Sequence, residues 1–247
     1  MCRNHYLSNH HLSDPWHLRF TLFNLKSQIQ SRRSVAEKLG RRQAGGPLSH
    51  EHLFEAVLKK KLVLASRSPR RAEILHAVGW SFEMVAANID ESRFDSEAAV
   101  PYVRRLAQTK AETVAKNLPS GLVLGADTVV LVDEEILGQP RDAEDARRML
   151  KLLCGRWHEV LTAVALLRAG ESRSVVDHDK TRVRFAQLSV EEIDWYVATG
   201  EPMDKAGAYA VQGSAALFIE EIQGDYFNIV GLPVRLVYKL VRKIQEV

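Results

Sequence analysis

Residues 62–71 read LVLASRSPRR, and the residues that follow, AEILHAVG (72–79), take up a helical rhythm. The apolar run KLVLA, from Lys61, has the length of a buried strand. Two serines and a proline then interrupt it. Ser68 suits the cap of a helix, Pro69 its first position and Gly79 its end. Strand, tight turn and helix in that order predict the opening unit of an α/β fold. The adjacent Arg70 and Arg71 are electrostatically misplaced there. A helix N-terminus already carries positive partial charge, so two cations beside it cost stability unless an anion neutralises them. The first helical N–H groups also lack partners and point outward. The stretch therefore asks for an anion, and Ser66, Arg70 and Arg71 are the groups left to face it. Surface arginines paired with Glu73, or with Asp90 and Glu91, are the plain alternative.

Downstream, SFEMVAA (81–87) reads as a strand and SEAAVPYVRRLAQTKAETVAKN (96–117) as a long helix, with Pro101 tolerable only in its first turn. GLVLGADTVVLV (121–132) is an apolar strand carrying a single acid, Asp127. DAEDARRMLKLLCG (142–155) predicts a helix with an acidic first turn and a terminal glycine. Paired strands are expected at WHEVLTAVALLRA (157–169) and DKTRVRFAQL (179–188). SVEEIDWYVATG (189–200) has a capping box in Ser189 and Glu192, and VGLPVRLVYKLVRKIQEV (230–247) closes the chain with an amphipathic helix. Alternating elements followed by clustered strands predict an α/β fold: a mixed, twisted sheet flanked by helices.

The chain of 247 residues is 46% hydrophobic and 26% charged, ordinary for a globular protein. No apolar run approaches the ~18 residues of a membrane helix, so no membrane association is expected. Cys2 and Cys154 show no paired spacing, which speaks against a disulfide framework and for a reducing compartment. The net charge of +3 is unevenly spread: residues 1–60 carry +6 and the rest −3. The basic balance thus belongs to the N-terminal segment and is poor evidence that the folded body binds nucleic acid. Residues 1–60 are expected to be a basic, disordered extension, with residues 61–247 as the folded domain. A targeting peptide, a nucleic-acid arm and a metal cluster of His5, His10, His11 and His17 are the alternatives. A short helix is conceivable at SHEHLFEAVLKKK (49–61).

Asp127 sits where both flanking segments are apolar, so burial should raise its pKa unless a cation or metal compensates. A buried acid is costly to keep without a role. Asp90 and Glu91 lie in the polar loop NIDES, and Lys110 falls within the long helix. Carboxylates for a metal and a base, one lysine and an arginine pair are the parts that phosphoryl chemistry uses. Arginine, with its planar fork of donors, suits a triphosphate.

LVLASRSPRRAEIL, GADT, EPMDKAGAYAVQG and GDYFNIVGLP, in that order from Lys61 onward, resemble the Maf family of nucleoside triphosphate pyrophosphatases. The resemblance implies a fold shared with inosine triphosphate pyrophosphatases, a cytoplasmic homodimer, and a divalent cation, Mg²⁺ or Mn²⁺. It implies hydrolysis between the α- and β-phosphates, with Asp127 as proton acceptor for the attacking water. The carboxylates themselves suggest that Asp127 with Asp90 or Glu91 holds the cation. Ser66, Arg70 and Arg71 would hold phosphates, and Asp90 and Lys110 match further site positions. Arg70, Thr128 and Gln212 match the branch acting on dTTP and UTP, where the 7-methyl-GTP branch carries Trp, Gln and Glu. A Gln amide offers the donor and acceptor that suit the O4/N3–H edge of uracil or thymine. Modified pyrimidine nucleotides such as 5-methyl-UTP fit the same pattern. Asp204 and Lys205 could touch substrate or pair with each other. Gln139 stands where the family commonly has lysine, so weaker phosphate neutralisation, or help from Arg141, is expected. A nucleotide-binding regulator of septum formation with little hydrolysis is the rival function.

Overall fold

The computed structural model describes residues 62–245. The extension, the helix at 49–61 and the N-terminal histidines lie outside the described residues. β1 (Leu62–Leu64), α1 (Pro69–Ala77), β2 (Phe82–Met84), α2 (Ala99–Ala115) and β3 (Gly121–Val132) come first. β4 (Glu135–Leu137), α3 (Ala143–Leu153), β5 (Trp157–Ala169), β6 (Ser174–Phe185) and α4 (Val190–Ala198) follow. Three short 3-10 turns then lead to β7 (Ile219–Gln223), α5 (Tyr226–Val230) and α6 (Val234–Lys243). The strands form one sheet in the order β2-β1-β3-β5-β6-β7, with β4 also on β3. β1 runs parallel to β2 and β3, and the remaining pairs are antiparallel. The expected mixed sheet with flanking helices is what the chain builds.

Strand alternation divides the core. Leu62, Leu64, Leu122 and Leu124 pack with Leu75 of α1 and with Val237 and Leu240 of α6. Val63 and Val123 face the other way, onto Val103, Ala107 and Ala111 of α2. α2 approaches β3 so closely that a Cβ on Gly125 would stand 2.1 Å from the Ala107 carbonyl oxygen. No other residue type fits there.

Local signals read from the sequence differ from the structure in a few places. The capping box at Ser189 forms, with Ser189 N–H donating to Glu192 at 2.7 Å. Ser68 occupies the N-cap of α1, but its side chain makes no capping bond. β2 is three residues long rather than seven, and β6 begins at Ser174 rather than Asp179. β4, β7 and α5 carry too few residues for periodicity to reveal them.

Candidate active site

β1 stops at Leu64 opposite Leu124, whereas β3 continues to Val132 and meets β4 only from Val130. Between these points no strand among the described residues pairs with that edge of β3; β5 occupies the opposite edge. A cavity of about 760 Å³ opens at this gap, beyond the carboxyl end of β1. The switch from parallel to antiparallel neighbours thus creates the opening, as ligand sites at strand ends commonly do.

Asp127 follows Val123 and Gly125 on the α2 face of β3. Lys110 lies on the buried stripe of α2 with Val103, Leu106, Ala107 and Val114. The close approach at Gly125 therefore sets the two against each other: Lys110 Nζ is 2.7 Å from Asp127 Oδ1. Lys110 is only 8% exposed and Asp127 6%. Burial raises the Asp127 pKa, and the Lys110 ammonium resists the rise. Glu91 Oε1 reaches the same ammonium from the loop after β2, at 2.9 Å. Tyr102 of α2 holds that loop by donating to the Glu91 carbonyl at 2.7 Å.

Thr128, one residue on, points to the other face, toward α1. Arg71 lies there, and its Nε donates to the Gly231 carbonyl at 2.8 Å. Its Nη1 donates to Ser66 Oγ at 3.2 Å, and its Nη2 to Thr128 Oγ1 at 3.2 Å. All three acceptors are neutral, and among the described residues Arg71 forms no ion pair. Burial lowers its pKa, with the nearby Asp127 charge acting in the opposite sense. Of its five N–H donors, one on each terminal nitrogen has no acceptor among the described residues. The cation that asks for an anion is therefore Arg71 above all.

Arg70 is differently placed. Its Nη1 is 3.1 Å from Asp204 Oδ2 and its Nη2 3.3 Å from the Asp204 carbonyl. Lys205 also pairs with the Asp204 carboxylate. Of the two readings of Asp204 and Lys205, pairing near a turn is thus realised, although both also line the cavity. Gln139 Nε2 donates to the same Asp204 carbonyl at 3.3 Å. Arg141 lies outside the cavity lining, with its Nε 3.2 Å from Asp145 Oδ2.

The structure brings Ser66, Arg70, Arg71, Glu91, Lys110, Asp127, Thr128 and Gln212 to one cavity. Asp90 is the exception. It is exposed, lies outside the lining, and its Oδ1 accepts the Ser92 N–H at 2.9 Å; the Ser92 hydroxyl first, and then this N–H, lower its pKa. Its neighbour Glu91 instead lines the cavity, with its carboxylate on Lys110. Gln212 is carried by a turn that Glu201 fixes through the Ser214 N–H at 3.0 Å. The Glu201 carboxylate fills the space at Gly213, where a Cβ would stand 2.1 Å from Oε1. The two ends of the motif EPMDKAGAYAVQG are thus one physical unit.

Asp127 and Glu91 are two converging carboxylates, and among the described residues no group of three or more His, Cys, Asp or Glu could hold a metal ion. A hard cation held by one or two carboxylates plus substrate phosphates fits that donor set. Among the described residues no helix is long and apolar enough to cross a membrane.

A family model described as Maf-like protein matches residues 61–244. The dTTP/UTP pyrophosphatase of Symbiobacterium thermophilum is 52% identical over 174 residues, covering 70% of this chain and 89% of that protein. The dTTP/UTP pyrophosphatase of Dictyoglomus thermophilum is 43% identical over 188 residues, covering 76% and 97%. Among solved structures, the Staphylococcus aureus Ham1 protein aligns over 74% of this chain and 99% of its own, at 13% identity and a TM-score of 0.44. That likeness is too slight to argue from.

Proposed function

The chain belongs to the Maf family, and from that premise we propose that it is a nucleoside triphosphate pyrophosphatase acting on dTTP and UTP. One observation carries the reading: Arg71, without an ion-pair partner among the described residues, shares a cavity with the buried Lys110–Asp127 pair, which Glu91 joins from its loop. Arg71 supplies positive charge for phosphates, and Asp127 supplies a carboxylate of raised pKa for a proton. The names of the relatives, and Arg70, Thr128 and Gln212 at the cavity, support the pyrimidine choice.

In this reading Asp127 accepts a proton from water as its oxygen attacks the α-phosphorus. The bond from that phosphorus to the bridging oxygen breaks, and pyrophosphate leaves beside the nucleoside monophosphate. Arg71 and Arg70 stabilise the charge that grows on the leaving group. Lys110 holds Asp127 in place and favours its ionised form. Asp127 and Glu91, with substrate phosphates, would hold a divalent cation of the Mg²⁺ or Mn²⁺ kind. When bound, it supplies neutralisation of phosphate charge. The homodimer and the cytoplasmic location implied by the family belong to this proposal, as does the extension before Lys61.

Hydrolysis in ¹⁸O-water tests the bond cleaved. Label in the monophosphate supports attack at the α-phosphorus; label in pyrophosphate alone would place the attack elsewhere and unseat the roles given to Asp127 and Arg71.

A further inference from the structure

The Thr128 hydroxyl that receives Arg71 stands at the head of a chain of hydrogen bonds leading away from the cavity. Thr128 and Thr162 are directly opposed across β3 and β5, with their hydroxyl oxygens 3.0 Å apart. Thr162 Oγ1 in turn donates to the Asn228 carbonyl of α5 at 2.8 Å. Each hydroxyl has one proton to give. A carbonyl only accepts, so the Thr162 proton is committed to Asn228. The proton between the two threonines must then come from Thr128, and a Thr128 lone pair takes the Arg71 Nη2–H. The chain runs one way, from Arg71 through Thr128 and Thr162 to Asn228.

Thr162 and Asn228 are fully buried, and neither lines the cavity. The Asn228 side chain fixes the far end, its Nδ2 donating to the Val160 carbonyl of β5 at 2.9 Å. Its Oδ1 is buried without a hydrogen-bond partner among the described residues, a cost that an apolar side chain would avoid. Three residues on, Gly231 supplies the carbonyl that holds Arg71 Nε. Two carbonyls of one short segment thus meet the guanidinium, one directly and one through two hydroxyls.

We propose that Thr162 and Asn228 are positioning residues: through this one-way chain they set the plane of the Arg71 guanidinium and leave one hydrogen on each terminal nitrogen for a substrate phosphate. The inference rests on the reading of the cavity as a triphosphate site. It also changes the part played by Thr128, whose proton is spent, so any substrate group meeting that oxygen must be a donor.

The test is calorimetric binding, on the full chain with Mg²⁺, of the non-hydrolysable α,β-imido analogue of UTP, with uridine as the phosphate-free control. Thr162→Val keeps the shape and removes the hydroxyl, and should weaken the analogue by about tenfold, as loss of support to a charge-assisted hydrogen bond does. Thr162→Ser restores the hydroxyl and should stay within about twofold of the parent. Asn228→Ala should weaken binding in the same sense. Thr162→Ala carries the measurement if the valine variant does not fold. Equal binding by the parent and Thr162→Val, or an equal loss in the serine and valine variants, would overturn the chain, since only packing would then matter. Unchanged affinity in Asn228→Ala would overturn the part given to Asn228. A parent that binds the analogue no better than uridine would overturn the triphosphate reading itself, a result distinct from those.

Discussion

Asp127 is a carboxylate whose protonation state the fold has shifted. Its burial raises the pKa against the pull of Lys110, and a proton acceptor works only when ionised. Activity should therefore fall as pH drops through a value above the usual carboxylate range, and a pH profile of kcat/KM checks this. The linked stability has the opposite slope. The contribution from protonated Asp127 is present below its unfolded pKa and is lost as pH rises through the raised folded value. Asp127→Asn should lower turnover by about a hundredfold or more while circular dichroism stays unchanged. Near-normal turnover would remove Asp127 from the chemistry. Arg71 and Arg70, adjacent in sequence, should answer differently to lysine. A single ammonium cannot meet the Gly231, Ser66 and Thr128 oxygens at once. Arg71→Lys should lower kcat/KM by about a hundredfold, and Arg70→Lys, at a partly exposed pair with Asp204, by much less. Gln139 invites the reverse change: Gln139→Lys adds a cation at the cavity, so steady-state assays should show a lower KM for the triphosphate.

At the scale of elements, the site depends on how closely α2 lies on β3. Gly125→Ala would place a methyl 2.1 Å from the Ala107 oxygen, between two backbones that cannot yield cheaply. It should cost about 2–3 kcal/mol in urea denaturation and reduce activity by moving Lys110 off Asp127. Strands and helices of nine residues or more were legible, because each repeats its period several times. Lys110 taken by itself reads as an exposed helix charge; the signal for its burial is its spacing from Val103, Leu106, Ala107 and Val114. Thr162 was not, being one more β-branched residue in a strand where such residues are expected for packing alone. The choice of Glu91 over Asp90 was equally hidden, because the direction of a loop side chain depends on tertiary contacts such as that of Tyr102.

For the whole molecule, the sheet gathers distant motifs at one gap in β3: the turn after β1, the loop after β2, the 3-10 segments and α5. The quoted motifs mark the turn after β1, the 3-10 segments and α5, and the acids of NIDES mark the loop after β2. Spacing could not reveal that Arg71 and Gly231, 160 residues apart, touch. A chain beginning at Lys61 should retain the activity and melting temperature of the full chain if the basic segment plays no part. The most direct test of the central claim is pyrophosphate release by the purified protein from UTP, dTTP, CTP, GTP and 7-methyl-GTP, each with and without Mg²⁺ or Mn²⁺. Metal-dependent release led by UTP and dTTP is the expected result. Measurable nucleotide binding with no pyrophosphate from any of them would contradict it, and would leave the cavity as a sensor.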